Sequence, residues 1–167
     1  MAASGPSELI LLSAGLIVAA LVSGILLQTW DDMDDVLDER GKQGAEDVRT
    51  RVSLVSDPIN IQWEGGDNAK IHLQNSGDTF LDVNSVGAAL GGKTMTVTVT
   101  DGVTSEWLPG DVVQFTLTNS GLNSDLSSGD NDLLMTISVS STATGYTGLD
   151  TLREEVRIVK QIGRAHV

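Results

Sequence analysis

The chain contains no cysteine, only 3 Pro, and few aromatic residues: 3 Trp, 2 Phe and 1 Tyr in 167 residues. Without a thiol there is no disulfide framework, no thiolate nucleophile and no cysteine metal site. With so few rings, Val, Leu and Ile must fill any core. Cations are scarce too: 10 Lys+Arg stand against 23 Asp+Glu, for a net charge of −13. Nucleic acid and anionic lipid surfaces repel such a body, so nucleic acid is not an expected partner. An acid-rich, Lys-poor chain with 18 Gly and many Ser and Thr fits a protein kept soluble in high salt. A halophilic origin is the expectation.

Catalytic signals are missing as well. His72 alternates with Ile71 and Leu73, which places it on the polar side of a strand, without a nucleophile beside it. There is no Gly-x-Ser-x-Gly and no phosphate-binding glycine loop. The chain reads as a non-enzyme without a cofactor.

What is present begins with Leu9 to Trp30, a run of 22 residues without a charge. As a helix rising about 1.5 Å per residue it spans roughly 33 Å, one bilayer core. The expected organisation is a short cytoplasmic N-terminus (1–8), a transmembrane helix (9–30), a polar helical stalk (31–51) and an extracytoplasmic β-domain (52–161). Pro6 suits a first helical turn. The segment before the run lacks the basic residue of a signal peptide, and the basic-Gly pair of a prepilin leader is absent. A retained, single-pass anchor in the cell membrane is therefore expected, in contact with lipid, with the acidic body outside. Trp30 sits where an interfacial aromatic belongs. Gly15, Ala19 and Ser23 are spaced by four, as are Ala20 and Gly24, so that another helix can approach closely. The rod is expected to continue through Asp38 to Arg51, with a bend available at Gly41 and Gly44. Six acids crowd Asp31 to Glu39; they read as a solvated face. The closing residues 162–167 match the translation of a common sequencing adapter. They are set aside as an artefactual tail, and His166 carries no functional weight.

From Val52 the hydrophobic period becomes two. Val52-Leu54, Ile59-Ile61-Trp63, Ile71-Leu73, Phe80 to Val83, Met95-Val97-Val99, Val113-Phe115-Leu117, Leu133 to Val139 and Val156-Ile158 read as short strands. Gly, Asn and Asp turns separate them, and Asp101-Gly102 is one, with Val103 and Trp107 flanking a hairpin. Leu122 to Asp132 reads as a polar loop. The fold class is an all-β antiparallel sandwich, immunoglobulin-like, behind one N-terminal transmembrane helix with a polar helical extension. The strand-turn Ile71 to Gly77 is echoed by Phe115 to Gly121 as a repeated use of the same turn chemistry. Asp125, Asp130 and Asp132 bring enough oxygens together to be weak Ca²⁺ candidates, without EF-hand spacing. A salt-adapted surface loop is the simpler reading.

Several segments resemble a known family. They are the apolar helix from Ser7 to Ala20, the segment Gly44 to Thr50, Ser56-Asp57-Pro58, the strand-turn Ile71 to Gly77, and the Trp107-Leu108-Pro109-Gly110-Asp111 turn before a Val-rich strand. Their order and texture resemble archaeal flagellin-related accessory proteins of the FlaG type. The resemblance implies a stator component of the archaellum motor, tying the rotary machinery to the surface layer. It also implies a location beneath that layer, with a related FlaF-type protein and the surface-layer protein as partners and with homo- or hetero-oligomers. The alternative is a filament subunit, archaellin or type IV pilin-like, since Glu8 beside the apolar run resembles a pilin's early acid. A sandwich binding calcium or sugar for adhesion is a third class.

Overall fold

A computed structural model describes residues 4–100, 106–142 and 145–161. The chain divides into two units, Met1–Lys42 and Gln43–Val167. A single helix, α1 (Ser4–Arg49), supplies the first unit and enters the second. Gly41 and Gly44 do not interrupt it, although each weakens a helix by about 1 kcal/mol. Side-chain pairs one turn apart bracket both glycines. Lys42 meets Asp38 at 3.1 Å, and Gln43 donates to Asp47 at 3.1 Å.

The second unit is a β-rich head of mostly antiparallel strands. These are β1 (Val52–Leu54), β2 (Ile61–Glu64), β3 (Asn68–Asn75), β4 (Leu81–Asp82), β5 (Gly87–Leu90), β6 (Lys93–Val99), β7 (Glu106–Trp107), β8 (Val112–Thr118), β9 (Gly129–Ser140) and β10 (Leu149–Lys160). Eight of them pair in the order β1-β3-β2-β10-β9-β5-β6-β8, and β3 also pairs with β8. That last pairing closes the sheet on itself, which protects edges that would otherwise invite foreign strands. β4 and β7 form a separate two-stranded ribbon. The sandwich-like head is as the alternation implied, with one exception to antiparallel order: β10 runs parallel to β2, with Ile158 beside Ile61.

Alternation fills the interior. Ile71 and Leu73 of β3 face Phe115 and Val113 of β8, and all are buried. Trp107 and Phe115 pack as a tilted pair with centroids 5.5 Å apart, and the Trp107 indole N–H donates to the Asp111 carbonyl at 2.7 Å. Trp63 is buried with its indole N–H on Asn123 Oδ1 at 2.9 Å.

Several expected elements change. Phe80 to Val83 is not a strand: only Leu81–Asp82 pairs, and Val83–Ser85 is a 3₁₀ turn capped by the Asp82 carboxylate. Gly87–Leu90, which the apolar period does not mark, is a strand whose small residues hide the alternation. The supposed polar loop from Leu122 to Asp132 holds a short helix, α2 (Ser120–Asp125), and the start of β9. Asn119 caps α2, accepting the Leu122 N–H at 3.0 Å. β10 begins at Leu149, seven residues before the apolar alternation of Val156 and Ile158 declares it. Trp107 pairs with Leu81 rather than with a hairpin partner. The proposed turn at Asp101-Gly102, with Val103, lies outside the described residues, as do residues 162–167 and His166.

The end of α1 belongs to the head. The second unit begins at Gln43. Gln43 donates to the Thr147 carbonyl at 2.5 Å, and the Asp47 carboxylate accepts the Leu149 N–H at 2.9 Å. Two of the last carbonyls of the helix are taken up there. Glu46 O accepts from the Thr50 N–H and hydroxyl, and Arg49 O accepts from the Asp78 N–H at 2.9 Å. Buried Asn75 holds the adjoining loop, donating to Thr79 O at 2.8 Å and Trp107 O at 2.9 Å. Two glycines make this close fit possible. A Cβ on Gly148 would overlap the Thr50 hydroxyl and the Glu46 carbonyl, and one on Gly77 would overlap the Arg49 carbonyl. Gly65 faces open space. Chemical denaturation of the head is expected to show losses of about 1–3 kcal/mol for Gly148→Ala and Gly77→Ala, the usual scale of overpacking. Gly65→Ala is expected to stay within about 0.5 kcal/mol.

Candidate functional site

The feature that demands a partner is the first part of α1. From Leu9 to Leu27 every large apolar side chain is at least half exposed, and Trp30 is 72% exposed. The helix is apolar and long enough to cross a membrane. Two of its hydroxyls are already spent within the backbone. Ser13 donates to Leu9 O at 2.7 Å and Thr29 to Ile25 O at 2.8 Å. The surface therefore asks for apolar cover and little else.

Small residues shape that surface. At about 100° per residue, Gly15, Ala19 and Ser23 lie along one stripe, and Ala20 and Gly24 along a second roughly 120° away. Both stripes of small residues leave room for a neighbouring helix to approach closely. Trp30, Met33 and Leu37 continue an apolar strip beside Asp31 and Asp34.

Asp125, Asp130 and Asp132 do not converge on a common point. Asp125 pairs with Lys93. Asp130 and Asp132 flank Arg157, at 3.8 Å and 2.8 Å. Among the described residues no group of three or more His, Asp or Glu stands close enough to hold a metal ion. The Arg157 hydrogen bond holds the Asp132 carboxyl below its ordinary range, against a smaller opposing effect of desolvation. His72 sits outward on β3, its Nδ1 3.5 Å from the Ser56 hydroxyl, which also accepts the His72 N–H at 2.8 Å. The ring braces a loop. Sequence patterning has no signal for the Asp132–Arg157 pair, because Asp132 looks like a solvated loop residue until β9 and β10 bring Arg157 opposite it.

The family model of archaeal-type flagellin matches residues 2–136. No curated protein sequence matches the chain. Among solved structures, AggA, the major subunit of aggregative adherence fimbriae type I from Escherichia coli, is similar at 8% identity and a TM-score of 0.33. The match covers 67% of this chain and 94% of that one. A likeness that distant carries no argument. The flagellin match does, and it overturns the stator expectation: the family found is that of the filament protein, not of a fixed accessory. The reason for the error is physical. An apolar N-terminal helix, an acidic extension and a short-stranded head serve a filament subunit and an anchored accessory alike, so order and texture could not part them.

The Asp132 carboxyl, lowered in the folded state, favours folding above the unfolded carboxyl range at about pH 4 and loses that contribution as pH falls through its folded value. An NMR titration of the head is expected to place Asp132 below the ordinary aspartate range, and Arg157→Gln is expected to return it to that range. Millimolar Ca²⁺ is expected to leave the Asp125, Asp130 and Asp132 resonances in place.

Proposed function

The chain belongs to the archaeal-type flagellin family, a family of structural proteins and not of enzymes, and from that membership we propose that it is a filament subunit, an archaellin. In this reading α1 is the assembly element. Copies line up with their apolar helices together and their heads around them. The exposed apolar run is the observation that carries the reading, since filament assembly gives it a cover made of its own kind.

The two small-residue grooves support it, because a helix in a bundle needs close approach on more than one side, whereas a lone anchor in lipid needs none. The closed head supports it too. A unit with its strands already paired has no need of a strand from a neighbour, which leaves the helix as the element still seeking contact. Before assembly, the same helix suits storage in the membrane, where lipid covers it. The narrower likeness to FlaG-type proteins is kept as one of sequence texture, with no stator role attached.

Mass spectrometry of filaments sheared from cells producing the full chain tests this directly. The chain is expected as a filament protein, with its mature N-terminus revealing whether residues ahead of the apolar run are removed. Recovery in the membrane fraction alone, with filaments that lack it, would contradict the reading. A second test fills the grooves: Ser23→Ile with Gly24→Ile is expected to abolish filaments while the head melts at its usual temperature.

A further inference from the structure

Among the described residues, one broad face of the head is free of acid in a chain of net charge −13. It is the outer face of β1, β3, β8 and β6, which lie side by side. β6 turns Thr94, Thr96 and Thr98 outward, and Thr100 follows them. Thr98 lies opposite Thr116 of β8, and Thr116 lies opposite Lys70 of β3. One row along, Gln114 lies opposite His72. Ser53 of β1 completes the face beside Gln74, which lies opposite Val112. No described outward position of these four strands is Asp or Glu. The one lysine on this face, Lys70, is balanced by Glu64 of β2 at 3.1 Å.

The other long strands contrast with it. β9 and β10 turn Asp130, Asp132, Glu155, Arg153 and Arg157 outward. Among the described residues around the neutral face, acids return at the rim, in turns such as Asp67 and Asp111 and at the β2 border in Glu64. A centre without charge inside a charged rim is the usual anatomy of a protein contact. Threonine suits such a centre, since its branched side chain is already stiff on a strand and gives up little freedom when covered. Thr100 and Thr116 already hydrogen-bond to each other at 2.7 Å.

The charge balance selects the occupant. A second copy also carries −13, so most approaches of one head to another meet like-charge repulsion, and this face is where that repulsion is least. We propose that the threonine face of β1, β3, β8 and β6 is the surface by which one head docks on the head of a second copy. The contact is heterologous, as an open helical assembly requires. The proposal rests on the filament reading and adds the surface that reading lacks.

The absence of cysteine makes the test clean. Full-length chain carrying Thr98→Cys is assembled in cells, and the sheared filaments are treated with a maleimide reagent, intact and after dissociation. The expected result is loss of most labelling in intact filaments and full labelling of dissociated subunits. A companion variant, Thr98→Glu with Thr116→Glu, is expected to keep the head folded by circular dichroism while filament yield falls at low salt and recovers at high salt. Filaments of the Thr98→Cys chain that form normally with the introduced thiol fully reactive overturn the proposed face and leave the filament reading standing. Protection that persists after dissociation assigns the face to a different occupant and also overturns it. A chain absent from filaments removes the filament reading and this contact with it.

Discussion

An apolar helix surface left exposed among the described residues is the constraint on which everything else turns. The dozen large aliphatic side chains between Leu9 and Leu27 are each at least half exposed. Burial of such a side chain is worth about 1.5–3 kcal/mol, so together they stand to gain on the order of 20 kcal/mol from a dry environment. No fold of the remaining residues supplies it, because the head's own apolar residues are already packed into a closed sheet. The helix must find lipid or other helices, and its small-residue grooves favour helices.

The head answers a different constraint. It carries most of the acids and must remain folded and soluble at the surface of any assembly. Ring closure through β3 and β8 leaves few free edges, and the Asn75 hydrogen bonds with the tight approaches at Gly77 and Gly148 fasten the end of α1 to it. Charge is then distributed unevenly. Acids and arginines alternate over β9 and β10, while threonines cover β6 and β8. Uneven charge on a strongly acidic body limits which surfaces can meet, and so turns solubility into specificity.

Much of this was legible in the residues. A 22-residue uncharged run announces its helix without ambiguity, and alternation announces strands such as β3, β8 and the second half of β9. What escaped notice had weak local signals. β5 is built from Gly, Ala and Leu, so period two has little amplitude there. The first half of β10 mixes Asp, Thr, Arg and Glu, since both its faces are partly exposed. Identical turns also diverged: Asn75 is buried as the anchor of a loop, and Asn119 caps α2, though both stand in Asn-Ser-Gly. Tertiary surroundings decided between the two uses. Function was misread for a related reason. The covering of an apolar helix by lipid or by sister helices is a property of the assembly, and one chain's residues are compatible with both.

Whether sister helices provide that cover is the central claim, and a spin label at Ser23→Cys in this cysteine-free chain addresses it most directly. In sheared filaments, labels in a helix bundle lie close to those of neighbouring copies, and their spectrum is expected to be dipolar-broadened and shielded from aqueous and lipid-soluble relaxation agents. A mobile, unbroadened spectrum open to a lipid-soluble agent would mean that the helix stands alone in a bilayer, and would contradict the account.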